Sequence, residues 1–179
     1  MTASPIPWAA FVTFLVLLIG ERLFELRLAA RNLPTLRARG AVEFGASHYP
    51  AIVALHALFP VALVLEVIAG ARPPQFWPWL LTPILAAELL RAESIGELGR
   101  LWHVRIWVIP GEQPVRSGIY RWLRHPNYLA VVIELAVFPL LFGAWRTAVA
   151  ATLFNAALLT IRIREEERAL RWAAAGGRG

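Results

Sequence analysis

The sequence predicts an all-α integral membrane protein of about five transmembrane helices, the last two forming a C-terminal helical hairpin. Three observations predict it. Hydrophobic residues fill 58% of the 179 positions and charged residues only 17%, a balance more apolar than soluble domains carry. The eighteen basic residues are all arginine and sit between apolar runs, so the net charge of +6 does not describe the one-sided basic face of a nucleic-acid binder, and no nucleic-acid partner is expected. No Gly-x-Gly-x-x-Gly turn or strand–helix alternation appears, which excludes a soluble dinucleotide-type fold. Without cysteine there is no thiolate metal site and no cysteine nucleophile, and the histidines at 48, 56, 103 and 125 lack ligand spacing, so no metal is expected.

The first helix is expected over about 8–28. Trp8 to Ile19 is too short for a bilayer core of about 30 Å, so the span continues through Leu23, Phe24 and Leu28, where Glu21 and Glu25 share one face. Those carboxylates either solvate the helix end or point between helices. Residues 31–47 read as a basic connector. The second helix is expected over about 48–69, with His56 as a hydrogen-bonded packing residue and Glu66 reaching the interface. The third, about 76–99, opens on the interfacial aromatics Phe76, Trp77 and Trp79, and Glu88, Arg91 and Glu93 are spaced for local pairing. From Trp102 to Tyr120 the apolar pattern breaks into an extended stretch, a Pro110-Gly111 turn and a short helix near Ser117 or Gly118. A loop of this length suggests function. The fourth and fifth helices are expected over about 128–142 and 147–164, and the tail after them is charged. The N-terminal MTASPIPW lacks a positive n-region and reads as retained.

Arginines concentrate in 31–47, 100–124 and the tail, with only Arg72 and Arg146 opposite. Basic loops stay cytoplasmic, which places the N-terminus outside and the C-terminus in the cytosol. Heavy Ala, Leu and Arg usage points to a bacterial inner membrane.

His125 precedes Pro126 and is pushed out of the α region, while Pro126 suits the first helical position. The amides of Asn127 to Leu129 then point back at the loop, where an anion would dock. Counting outward from a turn at Ala144 and Trp145, His125 faces Arg164, Arg124 faces Glu165 and Glu134 faces Asn155. Two ionic clusters therefore converge at a cytosolic mouth. A surface salt-bridge network would explain them, but not Glu134 and Asn155 at depth. Clustered glutamates, arginines, Tyr128 and Trp122 suit a ligand with anionic, cationic and flat groups. S-adenosylmethionine has all three; a nicotinamide dinucleotide matches in part.

Arg124-His125-Pro126-Asn127-Tyr128, preceded by Gly118-Ile119-Tyr120 and followed after one hairpin by Arg162-Ile163-Arg164-Glu165-Glu166-Glu167, resembles the isoprenylcysteine carboxyl methyltransferase family. Glu21-Arg22, Gly40 to Gly45, His48-Tyr49-Pro50 and Arg105 to Gly111 are similar to a bacterial subgroup acting on long-chain alkylpyrones or alkylresorcinols. The resemblance implies a single membrane methyltransferase domain over 1–179, with a cytosolic cofactor pocket for S-adenosyl-L-methionine. It implies cofactor contacts at His125, Pro126 and Tyr128, with Gly118 and Tyr120 before them. It also implies a glutamate pair, either Glu165–Glu166 or Glu166–Glu167. Ala130 departs from the glycine of the prenylcysteine enzymes, and they generally lack a glutamate at the position of Glu134, which suggests a different acceptor.

The acceptor would enter from the bilayer lipids as a lipophilic small molecule, an alkylpyrone or phenolic lipid. Methyl transfer is an in-line displacement. Glu134 is the candidate base for a phenol, and Arg121 or Arg124 the candidate holder of the acceptor oxyanion. Two other readings stand beside this one. A membrane reductase carries a similar RHPNY stretch and uses a nicotinamide cofactor. A non-catalytic assembly or transport protein is the third, although the chain lacks the internal repeats of many transporters.

Overall fold

A computed structural model describes residues 8–177; the N-terminal segment read as retained lies, up to Pro7, outside the described residues. Five α-helices and one small sheet follow in order: α1 (Trp8–Ala38), β1 (Val42–Phe44), α2 (Tyr49–Ile68), α3 (Trp77–Leu98), β2 (Ile106–Val108), α4 (Pro126–Leu141) and α5 (Trp145–Ala174). Short 3-10 turns occupy Gly99–Leu101 and Gly118–Arg121.

The outer faces of the helices are apolar. Val16 and Leu17 on α1, Leu58 and Leu65 on α2, Leu85 on α3 and Leu153 on α5 are all exposed. A soluble bundle turns charged residues to that face, so this belt marks a protein solvated by lipid. By length and composition α2 and α5 are apolar enough to cross a membrane. In α1 and α3 ionic residues lower that measure, and those that meet between the helices are described below. With 16 residues, α4 is about 24 Å long and short of the bilayer core. It is also the innermost helix: Ala130, Val131, Glu134, Leu135, Phe138 and Leu141 are all buried.

Around α4 pack α3 on one side and α5 on the other, and α2 lies against α5. Leu18 of α1, Phe59 of α2, Leu135 and Phe138 of α4 and Leu158 of α5 share one core cluster. Nearer the arginine-poor end, Phe11 meets Phe142 edge to face at 4.9 Å and Phe14 meets Phe138 at 5.0 Å.

Three elements differ from the sequence reading. The connector expected over 31–47 is helical to Ala38 despite Pro34 within it, because two side chains beyond the expected end are anchored. The Asn32 amide donates to the carbonyls of Gly99 (3.1 Å) and Trp102 (2.8 Å), and Leu36 is 1% exposed. After that helix, β1 pairs antiparallel with β2, Val42 opposite Val108 and Phe44 opposite Ile106. Three-residue strands leave no readable period. Finally α5 runs to Ala174 rather than to about 164, since its charged end has its own apolar stripe: Ala169 and Ala173 pack under Ile106 and Val108. The sheet thus caps the arginine-rich end of the bundle.

At the opposite end Glu66, expected only to reach the interface, accepts from the backbone N–H groups of Arg146 (3.0 Å) and Thr147 (2.7 Å) and from the Thr147 hydroxyl (2.7 Å). A carboxylate from α2 therefore caps α5 at its positive end. Beside it, Gly143 at φ +73° lies so close to the α2–α3 loop that an added Cβ would stand 1.9 Å from the Arg72 carbonyl oxygen. Gly143→Ala is expected to destabilise by at least the roughly 1–3 kcal/mol of a strained left-handed residue. Thermal unfolding in detergent should show a lower midpoint than wild type.

Candidate active site

The mouth is built where α4 begins and α5 leaves the apolar layer. His125 adopts φ −132°, ψ 61°, outside the helix as the following proline requires. Its carbonyl accepts from the N–H groups of Tyr128 (3.1 Å) and Leu129 (3.3 Å). Those amides are therefore not free for an anion, contrary to the expectation of a docking helix N-terminus. The ring of His125 stacks on Tyr128 with centroids 5.2 Å apart. Arg162 donates from Nε to the Tyr128 hydroxyl (2.8 Å), which in turn donates to Glu166, while Arg162 Nη2 holds the Val104 carbonyl at 2.8 Å. His125 Nδ1 lies 3.6 Å from Glu166 and its Nε2 lies 3.8 Å from Glu167; Arg124 also lies 3.8 Å from Glu167.

The two ionic clusters converge, two residues further along α5 than the count predicts: His125 faces Glu166 rather than Arg164, and Arg124 faces Glu167 rather than Glu165. Counting assumed helix on both sides. Arg124 and His125 precede α4, and an extended residue advances about 3.3 Å against about 1.5 Å in a helix.

Behind the mouth opens a cavity of about 560 Å³ that runs between α1, α2, α4 and α5 beneath the loop carrying β2. Tyr120, His125, Pro126, Tyr128 and Glu166 line it. Gly118 does not; at φ +50° it packs against Glu97 so closely that an added Cβ would meet Glu97 Oε1 at 2.1 Å. Glu165 pairs outward with Arg168 at 2.6 Å. The Arg124 side chain is 88% exposed at the rim, and Arg121 lies over the Trp122 ring at 5.4 Å. Neither arginine is sequestered around an acceptor oxygen. His103 also lines the cavity and His48 does not.

His125, Tyr120 and His103, outside the membrane layer, have shifted acidities. The Glu166 carboxylate, facing the ring N–H and outweighing burial, holds the His125 imidazolium above its ordinary range. Burial pushes the Tyr120 phenol up to about 12, so it stays a donor. Burial, with Arg105 adding to it, lowers His103 to about 4. Its Nδ1 accepts from the Arg105 N–H at 2.9 Å, which leaves Nε2 as the proton-bearing nitrogen.

Deeper in, Arg91 resolves the fate of the acidic residues. Its Nε lies 2.7 Å from Glu21, Nη1 pairs with Glu25 and also donates to Asn127 (3.2 Å), and Nη2 pairs with Glu134. Arg22 donates to Glu25 at 2.8 Å and to the second oxygen of Glu134 at 2.5 Å. The local pairing expected for Arg91 with Glu88 and Glu93 is replaced by bonds across three helices, because the buried stripe of α3, Ala87, Arg91 and Ser94, faces inward. Glu21 and Glu25 point between helices rather than into solvent. Glu21, Glu88 and Glu134 bring one oxygen each within 4.8 Å of one another, and the neighbouring guanidinium groups supply their counter-charge. Glu134 lines the cavity as Asn155 does, but both its oxygens are engaged, which leaves it a poor base.

Sequence reasoning missed Arg162 as a site residue. Its signal was present, four residues before Glu166 and so on the same helix face. Trp102, Val104 and Arg105 also reach the cavity, from a loop whose path no local pattern specifies.

The sequence profile of the Isoprenylcysteine carboxyl methyltransferase (ICMT) family matches residues 79–172, from α3 into the last turns of α5. A Bacillus subtilis (strain 168) protein that bears the name Uncharacterized protein YpbQ is 38% identical over 161 residues, covering 89% of this chain and 96% of its own. A Haemophilus influenzae protein named Uncharacterized protein is 28% identical over 164 residues, covering 89% and 93%. No solved structure matches.

Arg91→Met would leave buried carboxylates without their cation and should cost about 3–5 kcal/mol, read as a lower unfolding midpoint in detergent. The raised pKa of His125 contributes stability that is complete below the unfolded value of about 6.5 and is lost as pH rises through the folded one. Over that window the wild-type midpoint should fall while that of His125→Gln stays level.

Proposed function

The chain belongs to the isoprenylcysteine carboxyl methyltransferase family, and on that premise we propose that it is an S-adenosylmethionine-dependent O-methyltransferase acting on a lipophilic acceptor, an alkylpyrone or phenolic lipid. One observation carries this reading: a single cavity joins the polar mouth to an apolar wall made by Leu18, Ile19 and Leu23 of α1 and Val53, Ala57 and Pro60 of α2. Its volume of about 560 Å³ lies in the usual range for small-molecule sites. A lipid tail suits the wall, and a water-soluble partner suits the mouth.

The mouth fits the methyl donor by the chemistry of its groups. His125 Nε2 is buried without a hydrogen-bond partner, although Glu167 stands 3.8 Å away, and a buried polar atom left so is costly unless a ligand meets it. Glu166 offers a carboxylate to an ammonium or a hydroxyl, Arg162 a cation to a carboxylate, and the stacked His125 and Tyr128 a flat face. When bound, S-adenosylmethionine supplies a methyl group on a sulfonium. The chain's part is to orient and to exclude water: His125, Pro126, Tyr128 and Glu166 hold the donor, Tyr120 donates a proton-bearing oxygen, and the loop from Trp102 to Val115 covers them. Gly118, Glu165 and Glu167 support this shell from outside. Glu134 fixes Arg22 and Arg91, and Arg124 at the rim draws in the donor's carboxylate.

In this reading five helices cross the inner membrane of a bacterium, with the mouth, the sheet and the C-terminus in the cytosol and the N-terminus outside. The acceptor enters from the bilayer between α1 and α2.

Equilibrium binding of labelled S-adenosylmethionine to the detergent-purified protein tests the assignment. Glu166→Ala and His125→Ala are expected to weaken binding at least about tenfold, the loss of one charge-assisted hydrogen bond. Glu165→Ala should leave it unchanged. Binding of a reduced nicotinamide dinucleotide in place of the methyl donor would refute the proposal.

A further inference from the structure

Resting on the methyltransferase reading, the deeper part of the cavity points to the base of the reaction. About two turns inside the mouth polar side chains from four helices line it: Arg22 and Glu25 of α1, His56 of α2, Glu134 of α4 and Asn155 of α5. His56 lies seven residues into α2 from Tyr49, Glu134 eight beyond Pro126, and Asn155 seven before Arg162, so each is about 10–12 Å deep. Arg22 and Glu134 are bonded to each other and to Glu25 and Arg91. The other two have capacity to spare. Asn155 is 4% exposed, and among the described residues no hydrogen bond engages its amide, which lies in an otherwise apolar stretch of α5. His56 Nδ1 lies 2.9 Å from the Ile52 carbonyl oxygen. A carbonyl only accepts, so Nδ1 carries the proton and Nε2 is a bare lone pair.

The surrounding charge selects what can bind there. Facing His56 are Arg22 and Glu25 of α1 and Arg91 of α3, with Glu134 on α4 and the uncharged Asn155 on α5. Four carboxylates, Glu21, Glu25, Glu88 and Glu134, surround the two guanidinium groups. No positive charge is left for an acceptor that arrives as a carboxylate, and such an anion would be repelled. A neutral hydroxyl instead finds a lone pair to receive its proton and an amide to hold a neighbouring oxygen.

We propose that His56 is the base of the reaction, the acceptor's reacting hydroxyl lying on His56 Nε2 and an adjacent oxygen on the Asn155 amide. The hydroxyl proton passes to Nε2 as the oxygen bonds to the donor's methyl carbon. The carbon–sulfur bond breaks with its electron pair kept by sulfur, so the sulfonium charge ends on the imidazolium and the products are a methyl ether and a neutral thioether. Glu25 and Glu134 stabilise that charge, and the proton is released to water once the products leave. A phenol, with an acidity near that of tyrosine at about 10, is within reach of an imidazole, whereas an aliphatic alcohol is not.

The test uses the detergent-purified protein with meta-pentadecylphenol, its methyl ether and palmitic acid as probes, read by tryptophan fluorescence, alongside labelled S-adenosylmethionine. The phenol should bind at least about tenfold more tightly than palmitate. Asn155→Ala and His56→Gln should weaken phenol binding while keeping that of the methyl donor. His56→Gln should also lower kcat about a hundredfold or more and abolish the acidic limb of the pH–rate profile. Palmitate bound as tightly as the phenol, or a His56→Gln protein with wild-type kcat, would overturn the assignment of base and acceptor while leaving the methyl donor's site intact. If wild type binds no S-adenosylmethionine, both proposals fall. The wild-type phenol–palmitate comparison decides the acceptor class even if a variant does not fold.

Discussion

Arg91 is one positive charge reached by three carboxylates from two other helices, and the bundle is arranged around that meeting. A guanidinium offers five donors in a fixed plane, so it can satisfy several oxygens at once where an ammonium would serve a point. In the apolar layer these groups can exist as ions only together. The consequence is geometric: α1, α3 and α4 are held in one register, and α4 can be short because its neighbours, not lipid, cover it. With α4 fixed, Pro126 fixes the loop before it, and the mouth follows.

Much of the fold was legible because it depends on short-range chemistry. The apolar runs marked the helices, Pro126 marked the start of α4, and the three-residue turn before Trp145 made α4 and α5 neighbours. The mouth residues His125, Tyr128 and Glu166 came from that hairpin and from the motif together. What could not be read depends on distant partners. Asn32 extends α1 by bonding to residues near 100, β1 exists only because β2 lies beside it, and Arg91 looked like a member of a local pair until α1 and α4 were placed. The role of His56 was hidden for the same reason. A histidine with one intrahelical bond reads as packing, and only the cavity reveals that this one lines open space.

The two halves of the cavity have different origins along the chain. The mouth lies within residues 79–172, the part matched by the family profile, whereas the apolar wall comes from α1 and α2, before residue 79. The family profile thus spans the polar mouth and stops short of the apolar wall. The loop bearing β2 links them: Val104 is bound by Arg162, and the Gly111 N–H donates to the Ala173 carbonyl at 2.8 Å.

The shared guanidinium also constrains how the protein is made. When α1 leaves the ribosome its glutamates have only Arg22 nearby, and Arg91 follows some 65 residues later on α3. Neither segment is among the helices long and apolar enough to cross a membrane by length and composition, and unpaired ions within them would be costly in lipid. Integration should therefore proceed as a joint event, with α1 waiting at the insertion machinery until α3 emerges, and the bundle entering the bilayer as an assembled group of helices rather than one helix at a time.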